Sequence, residues 1–338
     1  MIMKEILVGI LIIVFTGKSS SQNKQSPEDF GFRYLKTVYM GDTVDILIKS
    51  RKGEELKKKP LLLFCQGSLP IPLIITDEKG PYRIFPFNTD SVCFYYHLVI
   101  IGKPGVPVVV EKKVLQNDFT FIEKATGNFS NIFQQKNFPD YYVKRNLFVI
   151  NFLQKQPWIS SKKLVVAGHS EGSTIAARMA AASKKITHLI FSSENPLGRM
   201  LTIIEENRQF ETDSLKYGEN NFSYWEKAIR YKDSISRSGK SDSYKNIYEL
   251  SYPPAMKFLE NLAIPVLICY GTKDVKVSPF NDYFRLEMIR RKKTNFTFKA
   301  YVGFEHNFFP IKTNGEINYE KFNWDSVIND WLNWLEKN

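Results

Sequence analysis

The sequence predicts an α/β protein: a mostly parallel, eight-stranded sheet covered by helices on both faces, with a helical lid inserted late in the chain. Three observations lead there. From about residue 59 onward, short apolar runs alternate with amphipathic stretches, the pattern of strand and helix in turn. The runs themselves, such as "KPLLLFC" and "KLVVAG", are continuously apolar rather than alternating, as strands buried on both faces are. Between about 195 and 256 the rhythm breaks into charged, aromatic, helix-prone sequence with few buried-strand signals.

Taken in order, "FRYLKTVYMGDTVDILIKS" reads as two strands joined at Gly41-Asp42, a two-residue hairpin that would add an antiparallel edge. "KPLLLFCQGS" is a short buried strand ending in a polar loop, and "SVCFYYHLVIIGKPGVP" is a second, stopped by Gly102, Pro104 and Gly105. A connection mixed in aromatic and polar residues runs from about 108 to 139. In "DYYVKRNLFVINFLQKQ", Val143, Leu147, Ile150 and Leu153 share one helical face. Strand "KLVVAG", a helix after Ser170 and strand "THLIFSS" follow. Beyond the insertion come strand "IPVLICYG", a helix "SPFNDYFRLEMIRR" with Ser278 as N-cap and Pro279 in its first turn, strand "NFTFKAYVG", and the terminal helix "DSVINDWLNWLEK".

At 338 residues and 43% hydrophobic, the chain can bury a large core, and residues 30–338 read as one domain carrying the insertion. The first residues stand apart. "MIMKEILVGILIIVF" has a charged start and a short apolar stretch, Ile6 to Phe15, followed by polar, small residues. A spanning helix needs ~20 apolar residues, so this reads as a secretory signal cleaved after Ser21, or as an uncleaved N-terminal anchor. Either implies export to a periplasm or cell surface. Cys65, Cys93 and Cys269 make an odd count without metal-site spacing, and they read as unpaired core thiols. The formal charge of +12 admits anionic substrates or acidic membrane surfaces, although a lysine-rich solvated surface is the blander source. No stretch resembles a nucleic-acid motif, and no glycine cluster has dinucleotide or phosphate-loop spacing, so neither nucleic acid, cofactor nor metal is expected.

"VVAGHSEGSTIAARMA" passes from a β-branched run into an Ala-rich helix and places Ser170 between Gly168 and Gly172 at the junction. A serine there would sit on a tight, strained turn with Oγ exposed at the sheet edge, and a Cβ at either glycine would strike the neighbouring strand or helix. A serine hydroxyl needs a base to take its proton and a third group to orient that base. Of the four histidines, His169 lies inside the motif and must point away from Oγ, while His97 and His188 sit in apolar strands. His306, in "VGFEHNFF" just past a strand and a Gly303 turn, is the candidate base. Asp274, in "CYGTKDVKVSP" between a buried strand and a helix, is the candidate carboxylate, with Glu194 in "SSENP" as the alternative. A tetrahedral intermediate needs two backbone N–H donors. Glu171 supplies one, and the loop "CQGSLP" the other, with Gly67 allowing the turn, Ser68 or Leu69 presenting its amide and Gln66 bracing the loop.

On "LLLFCQGS", "GHSEGS", "GTKD" and "GFEHNFF", the chain from about residue 34 to its end resembles the α/β-hydrolase superfamily, and more narrowly its bacterial esterase-like branch with a Gly-His-Ser-Glu-Gly nucleophile turn. The resemblance implies Ser170 as nucleophile, Asp274 and His306 as its partners, and the backbone amides of Ser68 and Glu171 as the oxyanion hole. Gln66-Gly67 stands where many members have His-Gly. The expected activity is hydrolysis of a carboxylic ester or related acyl bond through an acyl-serine. A propeller-free serine peptidase of the same fold and a catalytically retired binding protein are the other readings. In the insertion, Phe210, Tyr217, Phe222, Tyr224, Trp225, Tyr231, Tyr244, Tyr248 and Tyr252 would either line a substrate pocket or pack the lid onto the core.

Overall fold

A computed structural model describes residues 25–82, 85–235 and 241–338. The expected signal or anchor at residues 1–21 lies outside the described residues. In chain order the strands are β1 (Arg33–Tyr39), β2 (Asp42–Lys49), β3 (Lys59–Cys65), β4 (Ile74–Asp77), β5 (Gly80–Tyr82), β6 (His97–Ile101), β7 (Val109–Glu111), β8 (Ile159–His169), β9 (His188–Ser192), β10 (Val266–Gly271) and β11 (Phe296–Tyr301). Eight of them form one sheet in the order β1-β2-β6-β3-β8-β9-β10-β11. β1 and β2 are antiparallel, as are β2 and β6, and every later neighbour is parallel.

Successive residues of each central strand feed opposite faces, so the sheet carries two cores. Leu61, Leu63, Leu164 and Val166 point to one layer. It contains helices α3 (Pro139–Leu153), α4 (Glu171–Ala182), α8 (Ala255–Leu259) and α9 (Ser278–Arg290). Leu62, Phe64, Val165 and Ala167 point to the other layer, which holds α1 (Thr89–Tyr95) and α10 (Trp324–Lys337). Each fully buried leucine contributes ~1.5–3 kcal/mol, which is why continuous apolar runs mark these strands. Cys65, Cys93 and Cys269 are buried and unpaired.

Several details depart from the sequence reading. The hairpin turns at Met40-Gly41 rather than Gly41-Asp42, with Tyr39 opposite Asp42. Both turn residues have positive φ (51° and 86°), a type I′ turn that matches strand twist. "SVCFY" belongs to α1 instead of a strand: Asn88 caps that helix by accepting from the Asp90 amide (3.0 Å), Tyr96 ends it, and the strand is only His97–Ile101. Ser278 is the first helical residue and not the cap, since its amide donates to the Asp274 carbonyl (2.7 Å). A small sheet, β5-β4-β7, is added to the main one, and its strand β7 falls within the connection read from about 108 to 139.

Between β9 and β10, the described residues of 195–256 fold into α5 (Arg199–Arg208), α6 (Tyr217–Arg230) and α7 (Tyr244–Ser251), leading into α8. The remaining short helix, α2 (Asn131–Lys136), precedes α3. Tyr224, Trp225 and Tyr244 pack on Met200, Ala228 and Ile247 within the insertion, and Trp225 stacks on Tyr248. Phe210, Tyr217, Phe222, Tyr231 and Tyr252 are exposed. Among the described residues, no helix is long and apolar enough to cross a membrane.

Candidate active site

The parallel strands all end on one side of the sheet, and the loops leaving those ends carry every candidate residue, the position where open α/β sheets hold ligands. Ser170 follows β8 with φ 55° and ψ −137°. A non-glycine residue there stores about 1–3 kcal/mol of strain. The turn persists because its backbone is tied on both sides: the Ser170 amide donates to the Ser192 carbonyl (2.9 Å), and the Ser173 amide to the Ser170 carbonyl (2.8 Å). The flanking glycines let helix, turn and strand approach. A Cβ on Gly168 would lie 2.2 Å from the Gly172 carbonyl oxygen, and one on Gly172 would lie 2.1 Å from that of Cys65.

His306 Nδ1–H donates to Asp274 Oδ2 at 2.6 Å. A carboxylate only accepts, so the proton of neutral His306 sits on Nδ1 and Nε2 keeps its lone pair. Burial works to lower the His306 pKa, but the hydrogen bond and charge of Asp274, with Glu194 and Glu305 adding, raise it above its ordinary value. Asp274 is buried, and Ser170, Asp274 and His306 line a common cavity. Among the described residues Ser170 Oγ makes no hydrogen bond, and such bonds often tighten only when substrate is present.

The loops bearing Asp274 and His306 are held to each other. The Lys273 amide donates to the Phe304 carbonyl (2.8 Å), and the Gly303 amide to Thr272 Oγ1 (2.9 Å). Glu305 Oε1 folds the histidine loop by accepting from the amides of Asn307 and Phe309. Gly271 makes the close pass possible, since a Cβ there would meet the Phe304 carbonyl oxygen at 2.2 Å.

Ser68 and Glu171 stand on either side of the serine turn, and neither backbone amide donates a hydrogen bond among the described residues. Glu171 opens α4, so its amide also carries the positive end of that helix. Gln66 does brace its loop, Nε2 donating to the Ile101 carbonyl (2.7 Å). A second brace was not anticipated. Lys103, buried beyond β6, donates from Nζ to the Ser68 carbonyl (2.8 Å) and lies 4.0 Å from Glu171 Oε1. Arg199, on α5, approaches Glu171 Oε2 (3.6 Å) and Glu194 Oε2 (3.7 Å). Glu194, the alternative carboxylate, is thus engaged with Arg199, and burial raises its pKa.

His169 lies beneath the turn, Nε2–H donating to Asn307 Oδ1 (3.2 Å) and Nδ1 within reach of the Ser192 hydroxyl (3.3 Å). It packs against Trp324, Phe308 and His306. Burial first, then the neighbouring His306, pushes its pKa down to about 3, so it stays neutral. His97 is a satisfied core residue between Ser50 Oγ (2.7 Å) and the Lys57 carbonyl (2.9 Å). The insertion's aromatic residues line neither cavity that contains Ser170, whereas Arg199, Thr202, Ile203 and Glu206 from α5 do. Among the described residues no cluster of His, Cys, Asp and Glu could hold a metal ion.

The same architecture recurs in known structures. An α/β hydrolase, GrgF from Penicillium sp. sh18, superposes with TM-score 0.52 at 11% identity, covering 90% of this chain and 98% of its own. The chain has the α/β-hydrolase fold. It is also similar to Porphyromonas gingivalis dipeptidyl peptidase 4 (TM-score 0.55, 11% identity, 91% of this chain and 35% of that one). Pyrococcus horikoshii acylaminoacyl peptidase gives TM-score 0.52 and 12% identity, covering 81% of this chain and 37% of the peptidase. The chain therefore spans little more than a third of the length of either peptidase. No protein-family model matches this sequence, and no curated protein matches it.

Proposed function

We propose that the chain is a serine hydrolase that cleaves a carboxylic ester or related acyl bond. The observation that carries this reading is the His306–Asp274 hydrogen bond beside a serine held at φ 55° between two sterically required glycines. In the reaction, His306 Nε2 takes the Ser170 proton as Oγ attacks the carbonyl carbon, and Asp274 stabilises the imidazolium that forms. The amides of Ser68 and Glu171 receive the oxyanion, with the α4 N-terminus adding its positive end. Collapse expels the alcohol with the proton from His306, and water repeats the sequence on the acyl-serine. A serine peptidase of the same fold is the second reading, favoured by the two peptidases among the similar structures. The apolar N-terminal stretch supports export, with the site facing a periplasm or cell exterior.

Pre-steady-state hydrolysis of a p-nitrophenyl ester tests the reading. A burst stoichiometric with protein, absent in Ser170→Ala, is the expected result. Folded wild type with no burst on esters and no cleavage of proline-containing peptides would instead describe a binding protein built on a hydrolase fold.

A further inference from the structure

We infer that the chain binds a small monovalent anion, of the chloride class, in a recess behind the loop that carries Ser68. The recess holds about 30 Å³ and lies between β3, β6, α3 and the start of α4. Its polar lining is Gln66, Lys103, Tyr142, Arg145, Asn146 and Glu171. A polar cavity needs only ~10–15 Å³ to take up a water, so a recess of this kind is filled, and chloride is little larger than water. Charge decides which of the two it holds.

Two buried cations line the recess, Lys103 and Arg145, against one buried carboxylate, Glu171. That carboxylate is shared: it lies 4.0 Å from Lys103 and 3.6 Å from Arg199. Arg199 in turn divides itself between Glu171 and Glu194 (3.7 Å). Three cations thus meet two carboxylates, and Arg145 is the one left over. Among the described residues it makes no ion pair. Three of its five N–H groups are taken, one by the Gly102 carbonyl (2.9 Å) and two by Asn146 Oδ1 (3.2 and 3.1 Å). The carboxylate it feels at longer range, Asp45, accepts from the Tyr34 hydroxyl. Burial pulls the Arg145 pKa below its ordinary value.

The ring of Tyr142 lies against both cations, with Lys103 Nζ 5.4 Å and the Arg145 guanidinium 5.0 Å from its centroid. A ring quadrupole softens such charges without cancelling them. Water in the recess would satisfy N–H groups and leave the surplus charge standing, whereas buried charges in folded proteins are paired. An anion seated against Arg145 and Lys103 does both. Gln66 has a donor to add, since only one of its two amide N–H groups is spent on the Ile101 carbonyl (2.7 Å). Lys103 also donates to the Ser68 carbonyl (2.8 Å), so an anion held by its ammonium braces that loop from behind. Anion binding does not require a reactive Ser170, and it stands or falls apart from the hydrolase reading.

The test is urea unfolding across a chloride series, with ionic strength held constant by gluconate, which is too large for the recess. One bound ion should raise the folding constant about tenfold for each tenfold rise in chloride beyond half-saturation, and gluconate alone should not. Arg145→Met should abolish the dependence. Wild-type crystals grown in bromide make the answer independent of how that variant folds: the anomalous map should show a peak between Arg145 and Lys103. A folding constant indifferent to chloride, a dependence that survives in folded Arg145→Met, or bromide peaks on the surface with water in the recess would overturn the proposal.

Discussion

Lys103→Met tests whether the two sides of the proposed oxyanion site are held by one buried ammonium. Lys103 Nζ donates to the Ser68 carbonyl at 2.8 Å and lies 4.0 Å from Glu171, with its side chain only 4% exposed. A hydrogen bond from a charged donor is worth ~1.5–3 kcal/mol. The ion pair adds little net: ~4 kcal/mol of attraction at 4 Å and an effective dielectric near 20 is offset by several kcal/mol spent desolvating the ammonium. Glu171 also keeps Arg199 at 3.6 Å. Urea unfolding should therefore show a loss of roughly 2–3 kcal/mol.

Catalysis should lose more than this loss of stability explains. The Ser68 carbonyl and the Ser68 N–H flank the same Cα, so freeing the carbonyl lets the loop that carries this amide reorient, and losing one oxyanion donor costs ~10²–10³ in kcat. We expect kcat to fall by ~10- to 10³-fold with KM within about threefold of wild type, and Lys103→Arg to restore part of it. Unchanged kcat in a folded Lys103→Met protein would refute the argument. So would a loss of activity that merely tracks the unfolded fraction.

Other perturbations follow from the same geometry. Ser170→Ala and His306→Ala should each lower turnover by ~10⁴–10⁶, and the double variant by little more, because groups that act as a unit are not additive; additive losses would separate them. Asp274→Asn should cost less than either, and Glu194→Gln less again, so a reversal of that last order in steady-state kinetics would reassign the carboxylate. Because His306 must be neutral to accept a proton and its pKa is raised, the acid limb of kcat/KM should lie above the ordinary histidine value of 6.5 and move down in Asp274→Asn. His169 acts on stability instead. Its folded pKa is depressed to about 3, so below 6.5 the unfolded chain binds a proton that the folded chain refuses. Stability should fall as pH drops through that window by ~1.4 kcal/mol per unit. His169→Asn should flatten the slope in urea titrations at pH 6.5 and 5.

Much of this arrangement is legible in the residues because strong local physics writes it there. Strands buried on both faces must be apolar throughout, which marks β3, β10 and the Leu164–Gly168 half of β8. The serine turn needs glycine on both sides for steric reasons, which marks Gly168 and Gly172. The signals fail where two structures share a composition. "SVCFY" is aromatic and apolar enough for a strand, and only the Asn88 cap decides for helix. The small sheet is too short to imprint a period, and the hairpin register depends on Met40 accepting a left-handed conformation. Lys103 and Arg199 could not be found from spacing, because their partners come from distant elements; a lone lysine in the turn "GKPGVP" is the nearest hint. Gly271 reads as a mere strand end until the histidine loop is seen to cross it. The insertion's aromatic residues mislead in the opposite sense, since they pack on one another or face solvent while the apolar wall beside Ser170 comes from the β3–β4 loop.

The central claim is that Ser170 is an activated nucleophile. Intact-mass measurement after treatment with a fluorophosphonate, on wild type and Ser170→Ala, tests it most directly. The account predicts a single adduct on wild type and none on the variant. Well-folded wild type that takes up no adduct, or a variant that still does, would contradict it.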